Sequence, residues 1–313
     1  MKKHRLLKIK LVGSFLIGSM LSTYAHAEEK RELNLGILGG QNSTQQIGDN
    51  QCVKDFFDKK LNVETKLRNA SDYAGVIQGL LGGTVDVVLS MSPSSYATVY
   101  LKDPNAVDIV GITVDDEDLS RGYHSVMIVK AESPYQTLAD LKGKHIGFAE
   151  ADSTSGFLIP DNEFKKQFGG DFDDKYNNYF NAVSFSGGHE QDIVGVLNGQ
   201  FDAAVTWSSM VGDYDKGYNT GAFDRMIRNG YPNLMKDIRI IWQSPLIPNG
   251  PILVSNKLDP EFKAQVVEAI KSLDKEDHPC FIKAVAGKMH IDSTSIDEYK
   301  PIIELKQAAS GRG

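Results

Sequence analysis

The sequence predicts an α/β protein built as two lobes with a ligand cleft between them, and three observations carry that expectation. Setting aside the first 27 of 313 residues as a leader leaves 286, long for one typical core. From residue 33 onward, strand-like and helix-like segments alternate. Two extended segments flanked by proline, near 123–134 and 245–251, lie far apart in sequence, as the two crossings of a hinge would.

The leader, residues 1–27, reads as a secretory signal peptide. It has a basic start (MKKHRLLKIK), an apolar run (LVGSFLIGSML) and a small-x-small ending, Ala25 to Ala27. The apolar run is about 11 residues, short of the roughly 20 that span a bilayer. A soluble periplasmic chain beginning near Glu28 is therefore expected. The whole chain carries a formal charge of −7, and the leader holds five Lys/Arg and no acid, so the remainder carries −12. That argues against nucleic acid or an anionic membrane as partner, and any anion site has to be built locally. Cys52 and Cys280 are compatible with one disulfide in an oxidising compartment, or with two buried thiols. Their spacing offers no metal cluster, and no cofactor is expected.

The elements follow in order. ELNLGILGG (33–40 in part) reads as a strand, and Val53, Phe56, Phe57 and Leu61 recur at helical spacing. NVETKLR (62–68) alternates like a strand, 71–83 is a helix stopped by Gly82-Gly83, and 85–90 and 107–114 are apolar strands. This alternation predicts a parallel sheet covered on both faces. A strand at 123–132, a short helix in SPYQTLADLKG, the strand KHIGFAE, the helix HEQDIVGVLNGQ and the strand FDAAVTW form a second series. Residues 238–255 read as a further extended stretch, followed by a helix-rich tail whose last residues, QAASGRG, look frayed. The expected division is lobe 1 at 28–127 and 247–300, lobe 2 at 128–246, and a tail at 301–313.

The stretch ADSTSGFLIP (151–160) is the most informative. It places Ser153, Thr154 and Ser155 between a strand and a helix start, where free N–H groups and the helix dipole favour an anion. An ordinary Ser/Thr cap is the competing reading, but three hydroxyls exceed what a cap needs. In FSGGHEQDIVG (185–195), His189 opens the next helix behind two glycines, either as a structural histidine or as a charge-assisted donor to an anion. Tyr73 stands at a third helix start in SDYAG, and Tyr123 and Trp207 end strands, positions where aromatics more often pack than bind.

DYAGVIQG, GYHSVMIV, DSTSGFLIP, GGHE and IWQSPLIP, in this order over about residues 33–290, resemble the PhnD-like phosphonate-binding proteins. The resemblance implies a type II periplasmic-binding-protein fold, two α/β lobes joined by two hinge strands with a ligand cleft between them. It implies a monomer that captures a small phosphorus oxyanion (phosphonate, phosphite or phosphate) and delivers it to an ABC-transporter membrane permease. It also implies that Ser153, Thr154, Ser155 and His189 hold the oxyanion while Tyr73 and Tyr123 close the site, and it places Cys52 and Cys280 in one lobe, where a disulfide is expected. One departure stands out. Members that grip an amino-phosphonate need an acid near the ammonium, for which the turn after PLIP is a candidate, and here that turn reads Asn249-Gly250.

Other readings remain open at this point. One is a Ser/His hydrolase using Ser153 or Ser155 with His189, although the serine is in no G-x-S-x-G elbow. Another is a binding protein of the same fold for a sulfonate or other small anion.

Overall fold

The computed structural model describes residues 30–39, 43–285, 287 and 289–311, so the leader expected at 1–27 lies outside the described residues. Among the described residues twelve strands are formed: β1 (Glu32–Ile37), β2 (Glu64–Asn69), β3 (Val87–Val88), β4 (Val107–Asp115), β5 (Gly122–Lys130), β6 (His145–Phe148), β7 (Ala182–Phe185), β8 (Ala203–Ser208), β9 (Ile238–Gln243), β10 (Ile247–Pro248), β11 (Pro251–Ser255) and β12 (Met289–Asp292). They make two sheets. One runs β12-β4-β11-β3-β1-β2, and the other runs β10-β5-β8-β6-β7 with β9 added on β5.

The first sheet is mixed rather than parallel. β1 runs parallel to β2 and β3, while β11 is antiparallel to β3 and β4, and β12 to β4. The reason is the route of the chain: β11 arrives directly from the second sheet and not by a helical crossover, so nothing turns it parallel. Helix Ser43–Leu61 covers one face, burying Val53 and Phe57 with Phe262, Val266 and Ile270 of helix Pro260–Glu276. Helices Tyr73–Gly82, Pro93–Lys102 and Lys300–Ser310 cover the other with Val76, Leu80, Tyr96, Val99, Ile302 and Ile303. Residues 307–310, expected to fray, are thus the end of a helix whose apolar face is buried. Cys52 and Cys280 form the expected disulfide, with Cα atoms 5.9 Å apart.

In the second sheet the period of two sorts β5 onto both faces. Val126 and Ile128 pack with Ile193, Val196, Phe223 and Met226. Met127 and Val129 face a layer containing Phe148, Phe164, Tyr176 and Phe180.

The chain leaves the first sheet after Asp115, enters the second at Gly122, leaves it at Pro248 and returns at Pro251. The first crossing therefore precedes the expected 127/128 boundary, because β5 pairs along its length with β8, β9 and β10. The stretch 238–255 is three strands and not one, broken around Pro245, Pro248 and Pro251, and it changes sheet at Asn249-Gly250. Asn249 ties the two crossings together. Its N–H donates to Arg121 O (2.8 Å), its Nδ2 to Thr113 O (2.9 Å), and its carbonyl accepts from the Tyr299 hydroxyl (3.0 Å). Gly250 has to be glycine, since a Cβ there would sit 2.2 Å from Met91 O.

Candidate functional site

β6 ends at Phe148, and the loop that follows delivers Ser153 to the start of a π-helical turn, Thr154–Leu158, which leads into helix Ile159–Phe168. Ser153 caps the turn: its Oγ accepts from Gly156 N–H (3.0 Å). π-turns widen the backbone and recur at functional sites. Gly156 makes the site possible, since a Cβ there would fall 2.5 Å from the Ala149 methyl and 3.0 Å from His189 Cε1. Only a glycine lets the loop pack against the imidazole. His189 comes from the start of helix His189–Leu197, and its Nε2 lies 3.3 Å from Ser153 Oγ.

Tyr73, Tyr123, Ser153, Ser155 and His189 line one cavity, with Glu190, Trp207, Arg225 and Asn249 around them. Tyr73 comes from the first turn of helix Tyr73–Gly82, over the first sheet. Tyr123 lies at the start of β5 beside the crossing. It is therefore on the second sheet and not on the facing lobe, its ring edge-on to Trp207 at 5.3 Å. Burial pushes the Tyr73 phenol well up and that of Tyr123 to about 12, so both are neutral donors.

Thr154, the sixth expected residue, does not line the cavity. Its Oγ1 accepts from Ser94 N–H and shares a hydrogen bond with Ser92 Oγ, both at 2.8 Å, at the start of helix Pro93–Lys102. Its neighbour Asp152 accepts from Ser95 through its carbonyl (3.0 Å) and from Lys306 through its carboxylate (2.9 Å). Glu150 accepts from Tyr73 N–H (3.0 Å), and burial, then Asp72 and Asp152, raise its carboxyl to about 7 against that bond. The loop thus grows out of the second sheet yet is clasped by helices of the first. Sequence reading could not separate Thr154 from its neighbours, because which of three adjacent hydroxyls faces the cavity depends on the turn that carries them.

The electrostatics differ from expectation in one respect. Burial, and then the charge of Arg225, lower His189 to about 3, which favours the neutral imidazole. Positive charge in the cavity comes instead from Arg225, on helix Ala222–Arg228, stacked 5.3 Å over the Trp207 ring. Its signal in the sequence is weak: an arginine among Ala222, Phe223 and Met226, on a helix whose apolar face is buried. The imidazole Nδ1 has no hydrogen-bond partner, and the buried Asp192 of the same helix does not orient it. A Ser–His pair without an orienting group is not the arrangement of an activated nucleophile.

Among the described residues no helix is long and apolar enough to cross a membrane. A family model described as the ABC transporter, phosphonate, periplasmic substrate-binding protein matches residues 35–299. The chain is 31% identical over 280 residues to the phosphonates-binding periplasmic protein of Escherichia coli, covering 85% of this chain and 75% of that one. It is 27% identical over 279 residues to the phosphate-import protein PhnD of Mycolicibacterium smegmatis, covering 86% and 79%. Among solved structures, PhnD1 of Prochlorococcus marinus in complex with methylphosphonate superposes with a TM-score of 0.72 at 21% identity, covering 90% of this chain and 98% of that one. The fold is thus that of the type II periplasmic binding proteins, two α/β lobes joined by two crossings, and the chain belongs to the family of periplasmic substrate-binding proteins of phosphonate ABC transporters.

Proposed function

We propose that the cavity holds a small phosphorus oxyanion between the lobes without reacting with it. Ser153, Ser155, His189, Tyr73 and Tyr123 supply the donors and Thr154 clasps the loop to the facing lobe. The observation that carries the reading is the convergence of five neutral donor side chains on one cavity that also contains a buried cation. Preorganised dipoles of this kind bind an anion with little reorganisation, which suits a chain of net negative charge. A small phosphonate such as methylphosphonate is the proposed ligand, and phosphite and phosphate share its oxygens. The protein acts as a monomer in the periplasm, exported by the leader at 1–27, and passes its ligand to the membrane permease of an ABC transporter.

Binding isotherms for methylphosphonate, phosphite and phosphate test this. Ser155→Ala is expected to cost about 1–3 kcal/mol, roughly 5- to 150-fold in affinity, because a charged acceptor loses a donor. Thr154→Ala is expected to weaken binding less, and to loosen the loop instead. Wild-type protein that binds none of the three ligands would overturn the reading.

A further inference from the structure

Arg225 differs from the other buried or half-buried arginines of the protein. Arg239 spends its guanidinium on three backbone carbonyls, those of Ala131, Ser133 and Tyr135. Arg121 binds Asp292, Glu298 and the carbonyl of Ser293. Arg225 is 7% exposed, and its Nε and Nη2 are closed off from solvent with no hydrogen-bond partner. The carboxylate facing it, Glu190, is 3.8 Å from Nε, beyond hydrogen-bond reach. Asp224, one residue away in the chain, is engaged by Arg228 at 2.7 Å. A buried guanidinium with unmade hydrogen bonds is destabilising unless something else completes it. What adjoins it is the cavity that Ser153, Ser155 and His189 line.

The opposite charge is scarce there. Asn249 occupies the turn where an acid could meet an ammonium group, and its Nδ2 is committed to Thr113 O. Glu190 already faces Arg225. The other acid of the cavity wall, Asp49, lies 3.7 Å from Lys283, so a cationic substituent on the ligand would meet a fixed guanidinium while both acids of the wall face cations.

We infer that Arg225 is a ligand-contacting residue whose guanidinium donates to the bound anion, and that its charge makes the cavity discriminate against phosphonates bearing an ammonium group. The inference rests on the phosphorus-oxyanion reading above and adds the sign of the charge that the substituent may carry. It names a residue outside the motifs of the oxyanion loop.

Calorimetry with methylphosphonate, propylphosphonate and 2-aminoethylphosphonate at neutral pH tests it, since the last two differ in one terminal group, methyl against ammonium. Wild-type protein is expected to bind propylphosphonate about tenfold or more tighter than 2-aminoethylphosphonate. Arg225→Gln should weaken methylphosphonate about tenfold and bring the other two within about twofold of each other, while Arg225→Lys keeps the preference. Ser155→Ala should weaken all three ligands and leave their ratio alone. An unchanged ratio or unchanged methylphosphonate affinity in folded Arg225→Gln overturns the role of Arg225 and leaves the oxyanion reading standing. Wild-type protein that binds no phosphonate, phosphite or phosphate overturns both. If thermal unfolding shows that Arg225→Gln does not fold, the wild-type ratio decides: 2-aminoethylphosphonate bound as tightly as propylphosphonate overturns the inference.

Discussion

Beneath the oxyanion loop, Phe148 at the end of β6 meets the rings of Phe157, Phe172, Phe164 and Phe185 at centroid distances of 5.4–6.4 Å. Under the first sheet's helices the packing is mostly aliphatic, and there the Cys52–Cys280 bridge ties helix Ser43–Leu61 to helix His278–Ala284. One half is held by interlocking rings directly below the residues that present the donors. The other is held by a covalent tie between helices that contribute none of the five donor side chains. Edge-on ring contacts fix orientation as well as area, so stiffness in the second half bears on the placement of Ser153 and Ser155. In the first half it bears on survival of the fold.

That contrast can be broken by substitution. Phe148→Ala is expected to have the largest effect, about 3–5 kcal/mol of stability, with a loss of ligand affinity in the protein that still folds. Phe157, inside the π-turn, loses the ring it rests on. Denaturant unfolding and a methylphosphonate isotherm check both parts, and full affinity in a destabilised but folded variant would show that the rings support the fold alone. Replacing Cys52 and Cys280 together by alanine should cost about 2–4 kcal/mol, since the bridge closes a sequence separation of 228 residues. Affinity should stay within about twofold of wild type. A large loss of affinity would erase the distinction between the halves.

The smallest effect concerns pH. His278 bonds Asp274 (2.8 Å) and Asp116 (3.2 Å), and the hydrogen bond to Asp274 leads the causes that raise it above the usual histidine value. A raised histidine contributes stability that is complete below its unfolded value, near 6.5, and is lost as pH rises through the folded one. Unfolding midpoints should therefore drop slightly as pH rises above about 6.5, and less so in His278→Asn. Equal slopes in both proteins would remove His278 from the account.

Much of this molecule is legible from its sequence because the motifs sit where chain geometry leaves little choice. A strand, three hydroxyls, a glycine and a helix place donors at a sheet's edge, and Gly156 is demanded by the close approach of Ala149 and of the Ser153 hydroxyl, with His189 just beyond. The spacing of the cysteines gave no hint of contact, and the fold supplied it. Three things were hidden. The direction of β11 depends on where the chain returns and not on its apolar pattern. The helix Pro93–Lys102, which receives Thr154, begins in a run of serines, SPSS, that reads as a turn. Arg225 is invisible because its distinction is a hydrogen bond it does not make, and sequence records residues and not their unmet partners.

Asn249 bears on mechanics. Through its own N–H, carbonyl and amide it joins the outward strand, the return strand and Tyr299 of the C-terminal segment. Two connections between bodies would ordinarily allow both twisting and shearing. They are fastened to each other at Asn249 and, on either side of it, by the pairing of β10 with β5 and of β11 with β4, which leaves one short joint, and Gly250 is seated against Met91 there. Opening of the cleft is then expected to be a bend at this joint, which small-angle scattering with and without methylphosphonate would register as a change in overall dimension.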